Sequence, residues 1–251
     1  IITARRIAET FNMVVVVLSD ATLATSQQPF PRPVFSESWL APPVDQSAVP
    51  EGARPYDWDN TTGLARRFIP GQPGGMHTLT GLAHDRDSHV AYDADSNERA
   101  LRARSLKLAA LQKTLAAPPL YGDATGDLLV IGWGSTKGAI EEAVDAMRAE
   151  GQRVSSLHLR FLQPLPPGIK PIMQGFDRVM TIESNWSDRP GDAIIDDTNR
   201  RYSALATLLR ARYLVDVDCF SEVRGQPIRP STIRRAVGEK LARVPGKVTT
   251  P

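Results

Sequence analysis

Gly132, Gly134 and Gly138 follow the apolar run Leu128 to Ile131 and enclose Ser135 and Thr136. Bare amides at the start of a helix attract anions, so a glycine turn between strand and helix is a place for a phosphate. The spacing is GxGxxxG rather than the GxGxxG of dinucleotide binders, and no acidic residue closes the next strand near Leu159 to Leu162. A plain turn explains the same residues if Ser135 or Thr136 caps the helix and Glu141 and Glu142 stand in its first turn. Gly134, Ser135 and Thr136 are thus candidate cofactor contacts, with the structural turn as the reading the spacing favours.

His77, His84 and His89 lie beside Asp85 and Asp87 and could in principle hold a divalent metal. Their spacing fits neither HExxH nor another paired ligand motif, so a loop held by His and Asp hydrogen bonds is the simpler account. His158 lies in an apolar strand and reads as a satisfied core or interface histidine. Glu183-Ser184-Asn185 ends a strand at the carboxyl edge of a sheet, where α/β domains place ligands, and makes Asn185 a site candidate. Cys219 follows Asp216 and Asp218, has no basic neighbour in sequence, and reads as structural rather than nucleophilic. There is no Ser-His-Asp order and no GxSxG elbow.

These residues need elements to position them. Leu128 to Ile131 is a strand. A helix with Ile140, Val144 and Met147 on one face comes next, and Val154 to Leu159 is a second strand ended by Pro164, Pro166 and Pro167. Phe176 to Glu183 is a third strand. Tyr202 to Tyr213 is an apolar helix running into a fourth strand, Leu214 to Val217, and a last helix starts at Ser231 as its cap and ends near Arg243. Alternating strands and helices predict an α/β domain with a mostly parallel, doubly wound sheet.

Upstream, Thr3 to Phe11 reads as a helix and Val14 to Val17 as a strand apolar enough for the middle of a parallel sheet. Either that strand pairs with the rest of the chain, or the sequence begins inside a domain. The second reading is favoured, because the residues after Val17 look nothing like a sheet partner. The stretch from Gln27 to Ala117 is irregular. Prolines 29, 31, 33, 42 and 43 exclude regular helix there, and Phe30, Phe35 and Trp39 suggest an extended arm laid across another surface. From Ser96 a helix opens with Asn97 and Glu98, carries Leu101, Leu108, Leu111 and Leu115 along one side, and stops at Pro118-Pro119.

The bulk composition narrows function further. A net charge of +2 with scattered Lys and Arg gives no footprint for nucleic acid or an acidic membrane. No apolar run reaches the roughly 18 residues of a membrane span. One cysteine cannot build a disulfide framework, a zinc site or an iron–sulfur cluster by itself, and a reducing cytoplasm is the expected compartment.

GDLLVIGWGSTKGAIEEAVDAMRAEG, HLRFLQPLPPGI and LLRARYLVDVD with GQPI resemble the alpha subunit of 2-oxoacid:ferredoxin oxidoreductases, nearest the 2-oxoglutarate type. VVVVLSDATLA and HTLTGLAHDRDSH are similar to the same subunit in the same order, so the likeness runs from about Ile7 to Ile228. The resemblance implies a thiamine-diphosphate enzyme that decarboxylates a 2-oxoacid, passes electrons through iron–sulfur centres to ferredoxin and forms an acyl-coenzyme A. By it, residues 1–28 are the tail of a thiamine-pyrimidine-binding domain whose earlier, N-terminal part is missing here. Residues 29–119 are an interdomain arm with a helix near 96–116, and 120–245 a transketolase-C-terminal-like domain. It further implies that diphosphate, magnesium and cluster ligands lie on the partner beta subunit, so no catalytic residue is assigned to this chain and no cofactor is bound by it alone. In place of the Gly-Gln phrase that many relatives carry after Glu183 and Asn185, this chain has Trp186 to Arg201, which leaves open which 2-oxoacid is used. The alternative from another class is a non-catalytic nucleotide- or anion-binding α/β module.

Overall fold

In the computed structural model residues 1–242 are described, and they form two compact units. One unit joins Ile1–Val17 to Pro29–Leu115; the other joins Leu18–Gln28 to the chain from Ala116 onward. The first unit opens with α1, Ile2–Phe11, which buries Ile7 and Phe11 and ends at Asn12 in the left-handed conformation. Val14 to Val17 forms no strand, and Val14 and Val16 are 87% and 75% exposed. The predicted strand fails because its amides and carbonyls find no neighbouring strand among the described residues.

The proline-rich arm holds one 3₁₀ turn, Glu37–Trp39, with Phe35 packed edge-on to Trp39 at 6.3 Å. The long helix of this unit is Ala94–Thr114. It starts two residues before the expected Ser96 because the Asp93 side chain accepts the Ser96 amide at 2.8 Å, an N-cap. Its buried side is Ser96, Ala100, Ala103 and Leu111, and Leu101 faces outward instead. We call it α3; α2 is the short helix Ala21–Thr25 of the second unit.

The second unit is built on a five-stranded sheet in the order β1-β3-β2-β4-β5. β2 is Leu128–Trp133, β3 Val154–Leu159, β4 Val179–Glu183 and β5 Val217–Ser221, all parallel. β1, Leu120–Tyr121, lies antiparallel on β3; at two residues it is too short to leave a periodic signal in the sequence. Alternate residues of β2 face opposite sides. Leu129 and Ile131 pack with Ile169, Met173 and Leu209 from α5, Ile169–Gln174, and α6, Ala204–Tyr213. Leu128 and Val130 pack with Ile140, Val144, Ile233 and Val237 from α4, Lys137–Ala149, and α7, Pro230–Ala242. Helices on both faces of a mostly parallel sheet make the doubly wound α/β architecture expected from the alternation.

Several boundaries move: the third strand starts at Val179 rather than Phe176, and the fourth runs on to Ser221. The fourth strand begins at Val217, not Leu214, because Leu214 adopts the left-handed cap of α6 and is 88% exposed. The last helix begins at Pro230, with the Thr232 and Ile233 amides bonded to the Arg229 carbonyl, so Ser231 lies inside the first turn rather than capping it. The predicted end near Arg243 lies outside the described residues. Among those residues no helix is long and apolar enough to cross a membrane.

Candidate functional site

The carboxyl ends of β2 and β4 bring the predicted site residues of the second unit together. At the end of β2, a side chain at Gly132 would place its Cβ 2.3 Å from Ile140 Cδ1 and 2.7 Å from Thr136 Oγ1. That glycine therefore serves close packing of α4 on the sheet. Gly134 turns the chain at φ +62, which glycine tolerates best, and Gly138 has open space around it. Neither Ser135 nor Thr136 caps α4 as expected. Thr136 Oγ1 donates back to the Trp133 carbonyl at 2.8 Å, and Ser135 Oγ donates to the Asp20 carboxylate. Because α4 starts at Lys137, Glu141 falls beyond its first turn and pairs with Lys137 at 2.6 Å.

Asp20 thus supplies the negative charge at this turn. Its other oxygen accepts the Leu23 amide at 2.8 Å, capping α2. Partial burial raises its pKa, but hydrogen bonds from the Ser135 hydroxyl and from backbone amides of Leu23, Ser135 and Thr22 outweigh that and hold the carboxyl below its usual range. The place that spacing offered to a phosphate is occupied by a carboxylate of the chain itself.

The end of β4 repeats the arrangement in a fully buried form. Glu183 has no exposed surface. Its Oε1 accepts from Thr181 Oγ1 at 2.8 Å, from the Ser203 hydroxyl and from the Ala206 amide at 3.2 Å. Its Oε2 accepts from Asn185 Nδ2 at 2.9 Å, the Leu205 amide at 3.0 Å and, more distantly, Trp133 Nε1 at 3.4 Å. Leu205 and Ala206 open α6, so Glu183 sits on the positive end of that helix. Asn185 is drawn inward by this carboxylate, and its Oδ1 is buried without a partner among the described residues.

Beyond Asn185 the Trp186 to Arg201 segment is tied at its base. Asp188 accepts the Arg201 amide at 2.9 Å and pairs with its guanidinium at 2.8 Å, which holds the Asp188 carboxyl far below the ordinary range. Arg200 and Lys240 both pair with Asp218, at 2.8 and 2.9 Å. Burial raises the Asp218 pKa, yet the Lys240 hydrogen bond and the two cations hold it low. Cys219 does have a basic partner: Arg200 lies 3.7 Å from its Sγ, brought there by folding, and the Ser203 amide lies 3.5 Å away. The thiol is buried, as a structural cysteine would be. His158 is half-buried rather than satisfied, with Nδ1 lacking a partner among the described residues. Burial, helped by Lys137, lowers its pKa.

The three histidines of the first unit do not converge. His77 Nδ1 lies 2.9 Å from the Gly75 carbonyl, His84 Nε2 lies 3.0 Å from Thr80 Oγ1 with its ring stacked on Tyr56, and His89 pairs with Asp85 at 3.1 Å. Among the described residues no group of three or more His, Cys, Asp or Glu could hold a metal ion. The residues at the sheet edge do not fit a cofactor diphosphate either, since Glu183 takes the first amides of α6 and Asp20 takes the hydroxyl and amide of Ser135, just before α4. Sequence reasoning missed Asp20, Thr181 and Ser203 as members of this edge. Only Asp20 left a sequence signal, an N-cap residue three positions before Leu23.

Residues 126–232 match the family pyruvate:ferredoxin oxidoreductase core domain II. Over 246 residues the chain is 32% identical to 2-oxoglutarate oxidoreductase subunit KorA of Mycobacterium tuberculosis, covering 95% of this chain and 34% of that protein. It is 28% identical over 212 residues to 2-oxoacid:ferredoxin oxidoreductase 1, subunit alpha, of Aeropyrum pernix, covering 78% and 32%. The chain thus spans about a third of the length of these curated relatives. Its fold is similar to 2-oxoglutarate:ferredoxin oxidoreductase from Magnetococcus marinus, a structure with 2-oxoglutarate, coenzyme A and succinyl-CoA bound. The TM-score is 0.78 at 24% identity, over 94% of this chain and 39% of that one. Over these stretches the chain is similar to the alpha subunits of 2-oxoacid:ferredoxin oxidoreductases.

Proposed function

We propose that the chain works as the C-terminal portion of such an alpha subunit, in an assembly that oxidatively decarboxylates a 2-oxoacid, 2-oxoglutarate by preference, to its acyl-coenzyme A. Its own part is scaffold and subunit interface. The observation that carries this division of labour is the pair of internal carboxylates, Asp20 and Glu183, at the helix starts where a ligand-binding α/β edge would receive an anion. In this reading thiamine diphosphate, magnesium and an iron–sulfur cluster belong to the beta subunit, ferredoxin takes the electrons, and the setting is the cytoplasm. By the same reading the exposed apolar Val14 and Val16 of residues 1–17 meet the N-terminal part of the alpha subunit, while Leu18–Gln28 stays with the sheet unit.

The test is an assembly of this chain with that N-terminal part and the beta subunit. Coenzyme A-dependent ferredoxin reduction is followed with 2-oxoglutarate and with pyruvate. The expected result is a higher kcat/KM for 2-oxoglutarate; equal or greater turnover of pyruvate overturns the substrate preference. Saturable binding of an adenine nucleotide by the isolated chain, measured by equilibrium dialysis, would overturn the scaffold reading in favour of a nucleotide-binding module.

A further inference from the structure

β5 ends the sheet on one side, and among the described residues no strand lies beyond it. An open edge of this kind is a template for the strand of another chain. The opposite edge, β1, is two residues long, which already limits pairing there. β5 runs for five residues with apolar Val217 and Cys219 at alternate positions, so its edge is the one that needs protection.

Backbone groups of successive strand residues point alternately to the two sides. The Glu222 amide donates to the Glu183 carbonyl of β4 at 3.2 Å, so even-numbered residues turn toward β4, and Val217 and Cys219 turn outward. Side chains engage the outward groups of both. Arg210, from α6, donates to the Val217 carbonyl at 2.9 Å. The Cys219 amide donates to Asp218 Oδ1 at 2.8 Å, and Arg200 reaches the Cys219 carbonyl more distantly, at 3.5 Å. Two guanidiniums on one edge repel each other, and each is held by a carboxylate: Arg200 by Asp218 at 2.8 Å, Arg210 by Asp216. Both also lie over the Tyr202 ring, 4.5 and 4.3 Å from its centroid, within cation–π range. A plain ion pair leaves the backbone to water, whereas here two arginines from different segments converge on the carbonyls of one strand.

We propose that Arg200, Tyr202 and Arg210 form a guard over the β5 edge that keeps the strand of a second copy from adding to the sheet. With the guard in place the Val217 carbonyl is already bonded, and an incoming strand would have to bury both charges, at a desolvation cost. This inference is independent of the oxidoreductase reading. The test compares self-association of the whole chain by sedimentation equilibrium in the parent, in Arg210→Met and in Arg200→Met/Arg210→Met. Methionine keeps an apolar stem and removes the donors. The double change takes the formal net charge from +2 to 0, which by itself favours association. Arg153→Met/Arg235→Met is therefore the charge-matched control, with side chains 64% and 67% exposed, and Arg153→Met is the control for the single variant. Circular dichroism checks that each variant folds; Arg210→Met leaves Asp218 both of its cations and carries the test if the double variant unfolds. The double variant is expected to associate about tenfold more strongly than its control, as one freed hydrogen bond can supply, with a smaller rise in Arg210→Met. Amides of Val217–Ser221 should gain protection from hydrogen exchange as concentration rises. Association no stronger than in the controls, or a rise without that protection, overturns the guard. Concentration-dependent protection of the same amides in the parent also overturns it, since the edge would then be open with the arginines in place.

Discussion

Removing the Glu183 carboxylate tests whether the second unit depends on the buried cluster at the end of β4. Glu183→Ala strands the amides of Leu205 and Ala206 and the Asn185 Nδ2 group, which bond Glu183 at 3.0, 3.2 and 2.9 Å. Each buried donor left without an acceptor costs about 1–3 kcal/mol. The Thr181 and Ser203 hydroxyls escape that cost, because they lie 3.2 Å apart and can bond each other. The sum, reduced where water enters the hole, comes to about 3–5 kcal/mol, the size expected for breaking a buried charged cluster from one side. Glu183→Gln keeps the shape and one acceptor oxygen. Its amide can turn toward the two hydroxyls, which are able to accept, so about 1–2 kcal/mol is expected. Urea unfolding is read in a Trp39→Phe, Trp58→Phe background, so that the signal comes from Trp133 and Trp186 of the second unit, with the m-value checked for constancy. Equal losses for Ala and Gln, or a loss below about 1 kcal/mol for Ala, would refute the reasoning.

The same geometry sets three further outcomes. Asp20→Ala removes the α2 cap and the Ser135 contact together, and is expected to cost about 1 kcal/mol and to speed amide exchange at Ala21–Thr25. Gly132→Ala overpacks Ile140 and Thr136 and should lose about 1–3 kcal/mol, whereas Gly138→Ala, in open space inside α4, should gain about 0.5–1 kcal/mol; thermal or urea midpoints check the opposite signs. Asp218→Asn leaves Arg200 and Lys240, with side chains 10% and 23% exposed, without their shared carboxylate, and should cost about 3 kcal/mol near neutral pH. Because the folded Asp218 carboxyl is held below its ordinary value, its contribution is present above the unfolded pKa of about 3.9 and lost as pH falls through the lower folded value. The stability difference between parent and Asp218→Asn should therefore shrink only below about pH 4, and a difference that shrinks between pH 8 and 6 would contradict this assignment.

The sheet was readable because its information is local. Leu128 to Ile131 and Val154 to Leu159 are apolar runs bounded by turns, and the Ile140, Val144, Met147 spacing marks one buried helix face. Val14 to Val17 shows the limit of that argument: a β-branched run states a preference, but a strand exists only where another strand receives its hydrogen bonds. Leu214 shows another limit. The apolar run continues through it, yet the chain needs a left-handed residue to leave α6 before β5 can start.

The site was harder to read because its decisive contacts are distant in sequence. Asp20 meets Ser135 across 115 positions, and Glu183 meets Ser203, Leu205 and Ala206 across 20 to 23. A strand–glycine–helix turn reads the same whether an external phosphate or an internal carboxylate satisfies it, since both satisfy the same amides and the same helix dipole. Motif spacing can lower the odds of a nucleotide, as GxGxxxG does here, but cannot say what fills the place instead. What fills it is set by the topology: the Leu18–Gln28 segment packs with the sheet domain rather than with the residues on either side of it. Asp20 is thereby delivered to the end of β2 as a fixed anion. A similar turn lacking such a carboxylate would leave the Ser135 hydroxyl and amide free to meet a ligand with the same glycines, so the spacing alone cannot tell the two apart.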